Sequence, residues 1–152
     1  MAEETKARVK EIIAALRKAY PDAKVSLDFS TPHELLVATI LAAQSTDVNV
    51  NKVTPALFRK YRSPQDFADA DPRELEQIIH STGFFRQKAR AIIESAQDIV
   101  NFHGGKVPDT MEELVRLRGV GRKTANVVLS AAFGKPGLIV DTHVLRVSGR
   151  LG

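Results

Sequence analysis

Leu117-Arg118-Gly119-Val120-Gly121-Arg122-Lys123-Thr124-Ala125-Asn126-Val127-Val128-Leu129 is the stretch from which the architecture of this chain is read. Leu114 and Leu117 close one apolar-periodic segment, Gly119-Val120-Gly121 turns the chain, and Ala125, Val128, Leu129 and Ala132 form the stripe of the next. The pattern is helix-hairpin-helix, over about residues 113–133. Its glycines permit positive φ and a close backbone approach, and the free N–H groups that open the second helix can bind a phosphate without any side chain. Such a grip holds a nucleic-acid backbone and reads no base sequence. A plain αα-hairpin is the alternative for this segment alone. A P-loop is excluded, because Arg122 separates Gly121 from Lys123 and Arg116 stands where the earlier glycine is required.

Helical geometry places Lys123, Asn126 and Ser130 opposite the apolar stripe, so the lysine lines a groove or faces solvent. The positive end of the helix and the adjoining Arg122 both favour the neutral, attacking form of its amine. Eighteen residues further stands Asp141, the only carboxylate from Leu114 to Gly152. It follows the extended-looking Leu138-Ile139-Val140 and precedes Thr142-His143-Val144-Leu145, an N-cap position that would hold its carboxylate rigidly. Seven Lys or Arg residues share that stretch with it, the electrostatic footprint of a surface that meets a polyanion, although a solvated basic face reads the same way. Singly, a phosphate-binding lysine and a structural cap are the ordinary readings; together the two residues suggest amine chemistry on DNA.

At 152 residues with 43% apolar content, the chain can bury one sizeable core, or two small ones sharing a groove. The absence of cysteine excludes disulfides and thiolate metal sites, and His33, His80, His103 and His143 are too scattered for ligand spacing. No metal site is expected. Met1 to Lys6 is polar and the longest apolar run, Leu35 to Ala43, is far short of a membrane span. A cytoplasmic protein is expected. Val9, Ile12, Ile13, Leu16 and Tyr20 give residues 3–20 an amphipathic helical pattern. Ser30-Thr31-Pro32 opens a helix over Glu34 to Ala43 that is apolar nearly all round and therefore central. Further starts stand at Thr46-Asp47, Ser63-Pro64, Asp71-Pro72 and Thr110, the last with Glu113 in a capping box. Stops stand at Gly83, Gly104-Gly105 and Gly134. Eight or nine short helices make an all-α fold.

Leu117 to Val128, followed by Ile139-Val140-Asp141-Thr142-His143-Val144 and Arg146, resembles the endonuclease III family, bifunctional DNA glycosylases of the helix-hairpin-helix superfamily. Leu41-Ala42-Ala43-Gln44-Ser45-Thr46-Asp47 and Thr82-Gly83-Phe84-Phe85 match the same pattern in order and spacing, so the resemblance covers essentially the whole chain. It implies a helix-hairpin-helix glycosylase fold: a six-helix barrel-type domain over 23–135, with residues 1–22 and 136–152 belonging to an incomplete second helical domain. It implies base excision repair of oxidised pyrimidines, the damaged nucleotide being flipped out of the duplex. Lys123 matches the nucleophile that attacks sugar C1′, displaces the base and forms a Schiff base, after which β-elimination nicks the strand 3′ to the lesion. Asp141 matches the acid that assists deprotonation of the nucleophile and stabilises positive charge on the sugar. Gln44 matches the residue filling the hole left by the flipped base, against a plain polar helix end. Phe84 takes the wedge position beside it, against a core aromatic. Gly119, Val120, Gly121, Arg122, Thr124 and His143 fall at DNA-contacting positions. The implied partner is double-stranded DNA with a damaged base or abasic site, in the nucleoid, with no membrane.

The family's turn usually reads Leu-Pro-Gly, and Arg118 in place of the proline is expected to loosen it while adding a phosphate contact. Phe84 is larger than the usual leucine. Relatives continue for several helices and end with four cysteines that bind a [4Fe-4S] cluster, so the resemblance implies a chain truncated before that region, with no cofactor of its own. The apolar side of residues 9–20 then lacks its usual partner and is free to associate, whereas the full-length protein is expected to be monomeric. A catalytically inactive DNA-binding fragment is the alternative function. The adenine-removing relatives lack a lysine at the position of Lys123, which argues against them.

Overall fold

The computed structural model describes residues 5–12 and 26–134. Residues 5–12 are helical, and beyond them the order is α1 (Pro32–Ala42), α2 (Asp47–Lys60), α3 (Pro64–Ala68), α4 (Pro72–Ile79), a 3-10 turn (His80–Thr82), α5 (Phe85–Phe102), α6 (Met111–Arg116) and α7 (Arg122–Ala132). No strand occurs among the described residues, and no helix among them is long and apolar enough to cross a membrane. Ile13, Leu16, Tyr20, Leu138-Ile139-Val140, Asp141 and His143 lie outside the described residues.

Local chemistry sets where these helices begin. Thr31, Thr46, Ser63, Asp71 and Thr110 each accept a hydrogen bond from a first-turn amide of α1, α2, α3, α4 and α6. Each such cap satisfies a donor that the helix cannot, a contribution of about 1 kcal/mol. The chain leaves α5 at Gly104 and Gly105 (φ 61° and 80°) and α7 at Gly134 (φ 62°), as the glycine stops require.

Two helices organise the packing. α1 buries His33, Leu35, Leu36, Val37, Ala38, Ile40 and Leu41 and packs against α2, α5 and α7. Burying each of its large aliphatic side chains stabilises the fold by about 1.5–3 kcal/mol. The other is α5, 18 residues long, or about 27 Å at 1.5 Å per residue. It packs against α3, α4 and α1 with Ala89, Ile92, Ile93, Ala96 and Ile99 buried. The hairpin pair α6 and α7 closes the assembly against α1, Leu114, Ala125 and Val128 being fully buried.

Candidate nucleic-acid interface

The two hairpin glycines do different work. Gly119 has φ 80°, and a Cβ placed on it would stand 2.5 Å from the Ala91 Cβ and 2.8 Å from the Ala91 Cα. Only glycine fits there. Gly121, expected to need the same freedom, is instead ordinary extended backbone at φ −97°, ψ 178°, and a Cβ there would meet nothing within 4 Å. The fold places no demand on it, so the surface beside it is open to an incoming backbone. Val120 is buried and its amide donates to the Leu117 carbonyl at 3.1 Å. It therefore belongs to the core, and its amide is engaged within the turn at a position that the resemblance places against DNA. Arg122 and Lys123 are exposed and Thr124 is half-buried in the first turn of α7, and no side chain caps that turn.

Arg118 corrects the expectation of a loosened turn. Its backbone N–H donates to Asp98 Oδ2 at 2.9 Å, its guanidinium spans the same carboxylate at 3.0–3.2 Å, and Nη2 reaches Gln97 Oε1 at 3.3 Å. Proline could not supply the amide donor. Arg118 thus ties the turn to α5 through its ion pair with Asp98. Burial pushes the Asp98 carboxyl up, but the Arg118 hydrogen bonds and charge outweigh it and hold it below the usual range.

Gln44 and Phe84 are the two non-glycine residues with positive φ among the described residues, at 54° and 46°. Left-handed backbone costs such residues on the order of 1–2 kcal/mol, and that strain concentrates at functional surfaces. Gln44 is exposed in the loop between α1 and α2. Phe84 is 56% exposed, which removes the core-aromatic reading. Phe84 also sits at the cap position of α5, and no side chain caps that helix. Every helix from α1 to α7 has a side-chain N-cap except α5 and α7. Those two start at Phe84 and at Gly121, the predicted contact positions.

A family model described as the HhH-GPD superfamily of base excision DNA repair proteins matches residues 37–152. An endonuclease III from Synechocystis sp. is 57% identical over 97% of this chain and 68% of its own length. One from Bacillus subtilis is 52% identical over 88% and 61%. The chain belongs to the endonuclease III family. That family consists of base excision repair DNA glycosylases, and AP lyase chemistry is its known activity. A solved structure described as a trapped endonuclease III–DNA covalent intermediate superposes with a TM-score of 0.89 at 49% identity, over 97% of this chain and 69% of that one. The chain thus spans about two thirds of the length of the relatives it matches. Endonuclease III proteins carry a [4Fe-4S] cluster; with no cysteine in its 152 residues, this chain offers none of the thiolates such a cluster uses.

Sequence reasoning missed Lys88 and Asn49. Lys88 is 5% exposed, and its ammonium donates to the Leu41 and Thr82 carbonyls, both at 2.8 Å. Burial lowers its pKa from the ordinary lysine value. Asn49 Nδ2 donates to the Ser81 carbonyl at 2.9 Å and to Ser45 Oγ at 3.3 Å. A usable signal existed for Lys88: it stands in phase with Ile92, Ser95 and Ile99 on the buried face of α5.

Proposed function

We propose that this chain is a base excision repair glycosylase with AP lyase activity on oxidised pyrimidines in duplex DNA, acting in the cytoplasm at the nucleoid. The observation that carries the reading is Lys123, exposed in the first turn of a helix with no side-chain cap, beside a glycine that the fold itself does not require. The bare amides and the helix dipole attract a phosphate while the open surface at Gly121 lets the backbone come close. Affinity then comes from the phosphates and not from base edges.

In this reading the extruded nucleotide presents sugar C1′ to the Lys123 amine. A bond forms from Nζ to C1′ as the base leaves with its electron pair; on an abasic site, the amine adds to the C1′ aldehyde and water is lost. On the glycosylase route the C1′–O4′ bond then opens, with O4′ taking a proton, so that both routes reach an open-chain iminium; this acidifies the C2′ proton, and its removal expels the 3′-phosphate with the C3′–O electron pair. Asp141 is the proposed acid and His143 a proposed DNA contact. Gln44 and Phe84 enter the space vacated by the nucleotide, their exposure and left-handed backbone aiming them away from the core. Residues 1–22 and 136–152 are assigned to a second helical domain.

Borohydride reduction of a mixture with duplex carrying thymine glycol or an abasic site tests this directly. The expected result is a covalent adduct that Lys123→Ala abolishes. An adduct that survives the substitution refutes the role of Lys123, and duplex binding without any adduct leaves a DNA-gripping module.

A further inference from the structure

Lys88 is a buried cation with no carboxylate partner among the described residues, since the ion pairs there join Lys60 to Glu74, Arg90 to Glu94 and Arg118 to Asp98. Burying an ammonium is costly unless its donors are satisfied, and here two main-chain carbonyls satisfy two of the three. The choice of carbonyls is informative. Leu41 lies in the last turn of α1, three residues before Gln44, and its carbonyl is one that the helix leaves free. Thr82 ends the 3-10 turn, two residues before Phe84. One ammonium thus joins the two segments that carry the two strained residues.

Asn49 makes a second link between the same segments. Its amide bridges Ser81, three residues before Phe84, and Ser45, the residue after Gln44. A helix terminus can be satisfied by water at little cost, so stability alone does not call for a buried charge at this place. Holding two loops in fixed register does call for it, because a lysine offers donors in diverging directions on a stem anchored in α5. The same helix face then presents Ala91 to Gly119 and Asp98 to Arg118. Along α5, Lys88 and Ala91 are separated by a rise of about 4.5 Å. α5 therefore sets the spacing between the inserting pair and the hairpin.

We propose that Lys88, with Asn49, is a positioning residue that locks the Gln44 and Phe84 loops into one rigid two-pronged wedge, so that both enter the duplex together. This rests on the reading that Gln44 and Phe84 enter the duplex. Neither positioning residue touches the nucleotide.

The test uses a duplex holding a tetrahydrofuran abasic analogue next to 2-aminopurine, whose fluorescence rises when it is unstacked. The analogue has no aldehyde, so the signal reports opening independently of any Schiff base. Wild type should raise the fluorescence, and Gln44→Ala and Phe84→Ala should each reduce it. Lys88→Met, which keeps the stem and removes the charge, should abolish most of the rise at saturation, because the two loops lose the donor that joins them. Its Kd by anisotropy should stay within about threefold of wild type, because phosphate contacts carry affinity. Asn49→Ala, which touches no buried charge, should give a smaller loss in the same direction and guards against a Lys88 variant that does not fold. Full opening by a folded Lys88→Met, a loss that merely follows lost binding, or no rise with wild type each overturns the proposal. Normal opening with no borohydride adduct would instead sink the lyase reading and leave the wedge intact.

Discussion

Replacing Gly119 with alanine sets two costs against the hairpin at once. At φ 80° an alanine backbone pays on the order of 1–2 kcal/mol for the left-handed region. Its Cβ would also stand 2.5 Å from the Ala91 Cβ, far inside the contact distance of about 3.5–4.0 Å for carbon pairs. The hairpin turn and α5 must then separate, and overpacking of that kind costs about 1–3 kcal/mol. The sum, about 2–5 kcal/mol, is a large share of the 5–15 kcal/mol or so that holds a domain together. A thermodynamic cycle separates the two parts. Ala91→Gly should cost about 1 kcal/mol in an otherwise intact helix, yet in the Gly119→Ala background it removes the closest overlap. The double variant should therefore be more stable than the sum of the single effects by about 1–2 kcal/mol, less than the full steric part because the Ala91 Cα remains 2.8 Å away. Urea denaturation followed by circular dichroism at 222 nm measures all four corners. Additivity within about 0.5 kcal/mol would refute the seating of the turn on Ala91.

The neighbouring glycine should behave in the opposite way: Gly121→Ala, with ordinary φ and open space around it, should change stability by less than about 1 kcal/mol and still weaken duplex binding several-fold by anisotropy, and unchanged binding would count against a backbone approach there. His33 supplies a pH dependence. Burial takes its pKa down to about 4, whereas the unfolded imidazole titrates near 6.5. Between those values the unfolded chain binds more protons, so stability should rise with pH across that window and be lost as pH falls through it, by on the order of 3 kcal/mol. Nε2 of His33 has no hydrogen-bond partner among the described residues and its ring meets Phe67 edge-on at 5.3 Å, so His33→Phe should flatten the Tm profile between about pH 4.5 and 7; an undiminished slope would place the titration elsewhere.

The helix starts were legible because an N-cap is a contact between residues two or three apart: Thr31 with Glu34, Thr46 with Asn49, Thr110 with Glu113. The same holds for the central burial of α1, whose composition leaves it no polar face, and for the exposed placement of Lys123, which follows from its phase against Ala125 and Val128. The resemblance that ran through these local patterns led to the family that the comparisons then bore out.

Other assignments depended on partners distant along the chain. Nothing near Arg118 announces Asp98, twenty residues earlier, and so a tethered turn was read as a loose one. Gly119 and Gly121 look alike in sequence, and only the approach of Ala91 makes the first indispensable and leaves the second free. The linkage of the Gln44 and Phe84 loops through Lys88 spans 47 residues from Leu41, and helical phase, which puts the lysine on the buried face of α5, does not name the carbonyls that receive it. Backbone conformation, capping and amphipathic phase are decided by neighbours within a turn or two of helix, and the chain states them directly. Burial, tethering and strain are decided by which surfaces meet, and here that is the work of α1 and α5.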